Sequence, residues 1–179
     1  LVFGEQGKYY DRFRGRIMFP IKNISGQVIA FTGRVLEDDG KSAKYVNSSE
    51  SPIYIKGKTI FALDKARADI RAQGLSVMVE GQMDVISAHQ SGFHNVVAVS
   101  GTALTSEQLK ILGRYSSDII FSFDSDSAGK AALKRAITLA LQTDINAKVA
   151  TFPGFKDPDE AIKSDPKNYE MGIKSAKPA

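Results

Sequence analysis

The chain has 179 residues, 42% hydrophobic and 25% charged, a composition typical of an ordinary globular protein with one good-sized core. It has no Cys, which excludes disulfides and thiolate metal sites from this segment, and its two His are too poorly spaced to share a helix face. No apolar run approaches the ~20 residues that span a bilayer and no signal peptide is visible, so we expect a cytoplasmic protein without a membrane partner. The first residue is Leu rather than Met, so we interpret the chain as part of a longer protein.

The net charge of +4 is unevenly distributed along the chain. Residues 1–73 hold 13 Lys and Arg against 8 Asp and Glu, whereas residues 74–179 hold 11 against 12. A basic first part suits a polyanion such as nucleic acid, although the same charge could serve solubility alone. We therefore divide the chain into a basic, mixed N-terminal subdomain at 1–73, an α/β domain at 74–165 and a C-terminal tail at 166–179.

The first part predicts a β-hairpin, irregular structure and then an amphipathic helix. The expected elements are strands at 16–22 and 27–35 joined by a turn at 23–26, a polar loop at 37–44, an irregular segment at 44–57 and a helix at 60–73. Gly74 directly follows that helix and is expected to end it.

The second part alternates apolar runs with helical segments. Strands are expected at 75–79, 95–99, 118–123 and 147–152, and helices at 84–90, 106–114, 129–141 and 158–163. The strands are continuous in Val, Ile and Phe, which favours a parallel sheet covered by helices on both faces, an α/β arrangement within an α+β chain overall. Thr105 is the expected N-cap of the second helix, with Gln108 completing a capping box. After Gly172 the chain is expected to fray.

Acidic residues follow two of these strands, at the point where each strand ends. Glu80 follows the first strand, and Asp124 and Asp126 follow the third. Because the carboxyl ends of parallel strands meet at one edge of a sheet, we expect the three carboxylates to converge there. Crowded carboxylates repel unless a cation joins them, and Mg²⁺ prefers a few carboxylates with water and phosphate oxygens. The alternative is that Asp124 and Asp126 only cap the following helix.

Both acidic segments resemble the motifs of the TOPRIM domain, most of all as found in bacterial DnaG-type DNA primases. They read Glu-Gly-Gln-Met-Asp-Val at 80–85 and Asp-Ser-Asp-Ser-Ala-Gly at 124–129. Further similarity to the primase RNA polymerase core lies at 10–21, 32–36, 44–48, 56–58 and 156–160. The resemblance covers roughly residues 9–165 in order. Gln82 replaces a usual aromatic and Ser125 a usual Gly, but neither change removes a carboxylate.

The resemblance implies a TOPRIM-type parallel sheet flanked by helices and assigns the acids to two tiers. Glu80, Asp124 and Asp126 would be the catalytic and metal-site acids, holding Mg²⁺ or Mn²⁺. A second tier that binds another ion or orients the first would comprise Asp84, Asp157 and Asp159. For this second tier the alternative is simple stabilisation of helix N-termini. Glu80 could be a ligand or a general base.

The resemblance also assigns a nucleotide and template groove to the basic first part. The residues that match its lining are Arg16, Arg34, Lys44, Tyr45, Asn47 and Lys56. Arg can contact phosphate through two N–H groups and Lys through a point charge, as binding of a single strand requires. The alternative for any one of these Lys is a solvated surface charge.

The implied activity is synthesis of RNA primers on a single-stranded DNA template from ribonucleoside triphosphates during DNA replication. A monomer is expected, with a replicative helicase bound through a domain that this chain lacks. Two other enzyme activities of TOPRIM proteins remain open, a nuclease and a topoisomerase, the latter needing a catalytic Tyr from another domain. A nucleic-acid-binding module without turnover is the alternative from a different class.

Overall fold

The structure, a computed structural model, describes residues 7–37, 40, 42–99 and 101–179, together with the backbone of Val2–Phe3. The residues that the sequence analysis assigned to the polar loop at 37–44 lie partly outside this set. Three sheets organise the fold: an antiparallel pair, a three-stranded antiparallel sheet and a five-stranded mixed sheet. No helix among the described residues is both long and apolar enough to cross a bilayer.

The N-terminal strands form the two antiparallel sheets. They are β1 (Val2–Phe3), β2 (Tyr9–Tyr10), β3 (Arg16–Lys22), β4 (Val28–Val35) and β5 (Tyr45–Asn47). The expected hairpin is confirmed, with β3 paired to β4 across a turn in which the Asn23 side chain accepts from the backbone N–H groups of Ser25 and Gln27. β5 lies where irregular structure was expected, and that prediction is wrong because β5 pairs with the free edge of β4.

The helix expected at 60–73 begins three residues late. A short 3₁₀ turn at Lys56–Lys58 precedes α1 (Leu63–Gln73). Phe61 exchanges both backbone hydrogen bonds with Ala98, at 2.9 and 3.3 Å, so residue 61 stays outside the helix. These two bonds connect the N-terminal part to the large sheet. Gly74 ends α1 with a φ of +63°, the left-handed conformation that glycine adopts without strain.

Strands and helices alternate through the rest of the chain. They are β6 (Leu75–Val79), α2 (Gln82–Gln90), β7 (Val96–Ala98), α3 (Ser106–Gly113), β8 (Asp118–Phe121), α4 (Ser127–Ala140), β9 (Asn146–Val149), α5 (Pro158–Ser164), α6 (Pro166–Lys174) and β10 (Lys177–Pro178). The sheet order is β10-β9-β8-β6-β7, with β6 to β9 mutually parallel as expected and β10 antiparallel to β9. The chain order reverses between β6 and β8, which therefore lie side by side at the centre.

Apolar side chains cover both faces of this sheet, because successive strand residues point to opposite sides. One face packs against α2, α5 and α6 through Val77, Val79, Ile120, Val85, Ile162 and Tyr169. The other packs against α1, α3 and α4 through Met78, Ile119, Phe121, Ile70, Leu112 and Ala136. Two buried clusters thus sandwich the parallel strands, and this explains their uninterrupted apolar sequences.

The C-terminal segment differs from the sequence expectation. The chain does not fray after Gly172, since α6 continues to Lys174 and β10 then pairs with β9. Tyr169 is only 1% exposed, its ring is stacked on Phe152 with centroids 5.5 Å apart, and it also contacts Phe93. Tyr169 anchors the helix, and the partly buried Ile173 packs against the same cluster. The division at residue 166 stays a prediction.

Gln108 joins the N-terminal part to the α/β part. Its side-chain oxygen accepts from Thr105 N–H and closes the predicted capping box, while its amide nitrogen donates to the carbonyls of Lys56 and Thr59 at 3.1 and 2.8 Å. The residue is fully buried, so no water can replace these hydrogen bonds.

Replacing Gln108 with Ala is therefore expected to lower the free energy of unfolding by about 2–3 kcal/mol, since buried carbonyls lose their donor. Urea denaturation followed by circular dichroism measures the change. Gln142→Ala, at an exposed position, is the matched control and should alter stability by less than about 0.5 kcal/mol. Equal stability of the two variants would contradict the anchoring role.

Candidate functional site

The candidate site lies where the two central strands end. Glu80 directly follows β6, and Asp124 follows β8 after two further residues. The Oε1 atom of Glu80 accepts a hydrogen bond of 3.1 Å from the backbone N–H of Asp124, so the two residues are direct neighbours. The reversal of strand order between β6 and β8 opens a crevice at this edge, the usual ligand position in such sheets.

One cleft of about 390 Å³ contains most of the acids singled out from the sequence. We call it the acidic cleft, and its acidic lining consists of Glu80, Asp84, Asp124, Asp157 and Asp159. The acids come from β6, the first turn of α2, the end of β8 and the start of α5. Glu80 and Asp124, 44 positions apart in sequence, meet because β6 and β8 are adjacent. The acids of α5 join them because α5 packs against α2.

Burial and repulsion raise the pKa values of three carboxyl groups in the cleft, those of Glu80, Asp84 and Asp124. Desolvation, followed by the charge of Asp124, raises the pKa of Asp84 to about 7, although a hydrogen bond from Gly81 N–H opposes the rise. Desolvation and then the charge of Glu80 raise the pKa of Asp124 to about 6. The pKa of Glu80 is raised as well, chiefly by desolvation. The cleft therefore favours an added positive charge.

Three of the predicted acids also do the structural work that the alternatives assigned to them. Asp126 caps α4 by accepting from Gly129 N–H at 2.7 Å, and Asp157 caps α5 by accepting from Glu160 N–H at 2.8 Å. Asp84 closes the N-terminus of α2 by accepting from Gly81 N–H at 3.1 Å. Asp159, by contrast, accepts from the hydroxyl of Ser87 and pairs with Lys163 on its own helix. Capping uses one oxygen of each carboxylate, which leaves Asp126 and Asp157 a second oxygen.

The donor set fits a hard divalent cation that brings its own water or phosphate ligands. Within the described ranges, no three His, Asp or Glu side chains converge tightly enough to enclose a metal ion by themselves. Mg²⁺ rarely needs such an enclosure, because it binds one or two carboxylates and completes its shell with water and substrate oxygens. The neighbouring carboxylates of Glu80 and Asp124, whose pKa values are raised chiefly by desolvation, match that requirement.

A basic and polar wall from the N-terminal sheet faces the acids. Arg34, Lys44, Tyr45 and Asn47 all line the acidic cleft. Desolvation raises the pKa of Tyr45, and among the opposing charges Arg34 lowers it while Asp84 and Asp159 raise it. Tyr45 thus lies between the two walls. Strand β5 pairs with β4, so a strand absent from the sequence prediction carries two of the wall residues, Tyr45 and Asn47, while Arg34 lies on the predicted strand β4.

Three predicted residues do not line the acidic cleft. These are Asp126, Arg16 and Lys56. The guanidinium of Arg16 instead donates to the carbonyls of Gly33 and Lys44, at 3.1 and 3.4 Å, and so braces the strand pair behind the basic wall. Lys56 lies in the 3₁₀ turn beside α3.

The sequence analysis missed two cations and one close contact in the cleft. Lys156 and Lys163 line it beside Asp157 and Asp159, with a Lys163–Asp159 separation of 2.5 Å. The spacing of four residues between Asp159 and Lys163 on a helix was a readable signal. Gly101 has a φ of +69°, and a Cβ added there would overlap the side-chain amide of Asn47.

Gly129 is required by the turn that carries Asp124. A Cβ on Gly129 would lie 2.8 Å from the carbonyl carbon of Asp124 and still closer to its oxygen, so the backbone would have to move. Gly129→Ala is therefore expected to destabilise the fold by about 1–3 kcal/mol, the usual cost of overpacking. Thermal unfolding measures this, with Ser127→Ala at an exposed neighbouring position as control. An unchanged melting temperature for Gly129→Ala would contradict the close approach.

The fold and site define a Toprim-like domain, and residues 77–162 match the model of the family described as Toprim-like. Residues 1–67 match a second family model, the N-terminal domain of the DNA primase catalytic core. The chain belongs to the DnaG-type DNA primases and contains these two parts of their catalytic core. A Toprim domain in a primase core implies use of a divalent metal ion in general.

Curated relatives agree with this assignment. The chain is 47% identical over 161 residues to the DNA primase of Synechococcus elongatus, a match that covers 87% of this chain and 23% of that protein. It is 41% identical over 173 residues to the DNA primase of Clostridium acetobutylicum, covering 97% of this chain and 28% of the relative. The chain thus spans about a quarter of the length of these relatives.

Solved structures share the fold. The E. coli primase catalytic core superposes with a TM-score of 0.89 at 36% identity, covering 99% of this chain and 57% of the other. The Aquifex aeolicus primase, with zinc-binding and RNA polymerase domains, gives 0.88 at 37% identity, covering 96% and 42%. A DnaG primase catalytic domain bound to single-stranded DNA gives 0.84 at 35% identity, covering 94% and 54%.

Proposed function

We propose that this chain forms the nucleotidyl-transfer centre of a DNA primase, which joins ribonucleotides into short RNA primers on single-stranded DNA. The observation that carries the proposal is the contact between Glu80 and Asp124 in a cleft whose opposite wall is basic. Such a cleft can hold a cation and a polyphosphate together, which a simple nucleic-acid-binding surface does not need. Membership of the primase family supports the same reaction.

The acids would hold the metal, Mg²⁺ or Mn²⁺. Glu80 and Asp124 offer adjacent carboxylates, and Asp126 keeps the oxygen that does not cap α4. The second tier, Asp84, Asp157 and Asp159, would bind a further ion or hold the first in place through charge. When bound, the cation would offset negative charge on the phosphates and acidify a nearby hydroxyl.

The basic wall would bind the incoming ribonucleoside triphosphate. Arg34 can contact phosphate oxygens through two N–H groups, and Lys44 adds a point charge. The Oδ1 atom of Asn47 is buried and has no hydrogen-bond partner among the described residues, so an acceptor is available for a ligand such as a ribose hydroxyl. Arg16 would support this wall from behind, while Lys56 would contact the template further out.

The reaction would require one proton transfer and one displacement at phosphorus. The 3′-oxygen of one nucleotide bonds to the α-phosphorus of the triphosphate, and the bond to pyrophosphate breaks with its electron pair leaving on pyrophosphate. If Glu80 acts as the general base rather than as a metal ligand, its Oε2 atom would receive the hydroxyl proton, because Oε1 already accepts from Asp124 N–H. The raised pKa of Glu80 makes it a better base than an ordinary carboxylate.

Incubation with single-stranded DNA, labelled ribonucleotides and Mg²⁺ or Mn²⁺ tests the proposal. We expect short RNA that depends on both metal and template. Nicked DNA would indicate a nuclease, relaxed plasmid a topoisomerase, and salt-sensitive DNA binding without any product a binding module. Any of these three results would replace the primase proposal.

Four partner and location assignments accompany this function. A primase would act in the cytoplasm, as a monomer, and would meet the replicative helicase through a part of the protein outside this chain. Single-stranded DNA is the template we propose, in keeping with the related primase domain that was solved with it.

A further inference from the structure

A second cavity, of about 330 Å³, adjoins the acidic cleft. We call it the α4 cavity; its lining includes Glu80, Leu104, Phe123, Ala128, Ala132 and Arg135. Three of these residues follow the spacing i, i+4 and i+7 on α4, so they share one helix face. The small side chains of Ala128 and Ala132 leave space along this helix face, and Arg135 follows them at the C-terminal end of the same face. The cavity has the size of a small-molecule site rather than of a duplex.

The two cavities lie on opposite sides of Glu80. The acidic cleft is bounded by α2 and α5, which cover one face of the sheet, whereas the α4 cavity is bounded by the helix on the other face. Glu80 and Gly101 line both. A ligand in either cavity therefore approaches the same carboxylate from a different direction.

The two cavities carry different numbers of charged side chains, so we expect them to bind different ligands. Among the described residues, four cations line the acidic cleft with five acids: Arg34 and Lys44 on the basic wall, and Lys156 and Lys163 beside Asp157 and Asp159. Among the described residues that line the α4 cavity, Arg135 is the one cation and Glu80 the one anion. The first cavity suits a metal-bound triphosphate, whereas the second suits a ligand that places one phosphate at Arg135 and a flat ring against apolar side chains.

We propose that the α4 cavity binds the nucleotide that supplies the 3′-hydroxyl, with Arg135 on its 5′-phosphate and its base against Leu104 and Phe123. The proposal rests on the proposed nucleotidyl transfer. In-line displacement places the attacking and leaving oxygens on opposite sides of the phosphorus, and the two cavities provide these two directions around Glu80. Arg135 is then a substrate-binding residue for the first nucleotide and not for the triphosphate.

Dinucleotide synthesis from a ribonucleoside 5′-monophosphate and a labelled triphosphate tests this assignment in the full chain. A monophosphate has no pyrophosphate to release, so it can act only as the 3′-hydroxyl partner. For Arg135→Ala we expect the KM for the monophosphate to rise about tenfold, while the KM for the triphosphate changes less than twofold. Arg135→Lys should recover part of the loss. Lys134→Ala, at the neighbouring exposed position outside the cavity lining, should leave both values unchanged.

Equal effects of Arg135→Ala on both substrates, or no effect on either, would overturn the assignment. If the wild-type chain makes no dinucleotide, the proposed function fails, and direct binding then decides on the α4 cavity alone. Nuclear magnetic resonance should show that the monophosphate shifts the backbone resonances of Thr102 and Ala132, with binding weakened about tenfold in Arg135→Ala but not in Lys134→Ala. Absence of these shifts, or shifts that do not depend on Arg135, would also overturn it.

Discussion

Asp124→Ala is expected to lower primer synthesis at least ~100-fold, equivalent to about 2.7 kcal/mol of transition-state stabilisation. The change removes the carboxylate adjacent to Glu80, and with it the pair of oxygens that we propose to hold the metal. Because burial and the charge of Glu80 already raise the pKa of Asp124 to about 6, deleting this group relieves repulsion and should not destabilise the fold. Primer synthesis is measured by incorporation of labelled ribonucleotide on single-stranded DNA.

Two controls make the Asp124 result specific. Asp144→Ala removes an acid from an exposed position outside the lining of the acidic cleft and should leave synthesis unchanged. DNA binding by Asp124→Ala should remain within about threefold of wild type, since the contacts to phosphate come from the basic wall. Undiminished synthesis by Asp124→Ala would remove the acidic cleft from the mechanism.

Asp84→Asn is expected to stabilise the metal-free protein at pH 8 by about 1–3 kcal/mol. The folded-state pKa of Asp84 is about 7, above the unfolded value near 4, so the folded state holds this proton more tightly. The carboxyl therefore costs no stability below about pH 4, and its cost grows as the pH rises through 7. Asn has no charge to desolvate and keeps an oxygen for the Gly81 N–H.

Urea denaturation with chelator, at pH 4 and at pH 8, measures the Asp84 effect. The gain in stability should be present at pH 8 and absent at pH 4, and Asp144→Asn should show no such pH dependence. Adding Mg²⁺ at pH 8 should stabilise the wild type more than Asp84→Asn, since a bound cation offsets the repulsion. A destabilised Asp84→Asn at pH 8 would mean that the carboxylate is already compensated by groups within the protein.

The sequence predicted the parts of the site that depend on local pattern and on sheet geometry. Continuous Val, Ile and Phe identified β6 and β8 as buried parallel strands, and acids directly after such strands have to lie at one edge. The capping box at Thr105 was readable for the same reason, because it depends on residues three apart. Membership of the primase family was readable from motifs in a fixed order.

Features that depend on distant partners were not readable. β5 is three residues long and exists because the edge of β4 accepts it. The late start of α1 depends on hydrogen bonds between Phe61 and Ala98, 37 positions apart in sequence. The C-terminal helix is held by the ring of Tyr169, which packs against Phe93 and Phe152 from distant parts of the chain, and a local sequence pattern does not identify these partners.

The near-contact between Gly101 and Asn47 has a consequence for how such a protein can change over time. Because a methyl group at residue 101 would overlap the amide of residue 47, the two positions cannot vary independently. A side chain at 101 is also strained by the positive φ of that residue, and a smaller residue at 47 would remove part of the basic wall that we propose to bind the nucleotide. Lineages that retain polymerising activity should therefore keep this pair together, whereas lineages that have lost it are free to drift at both positions.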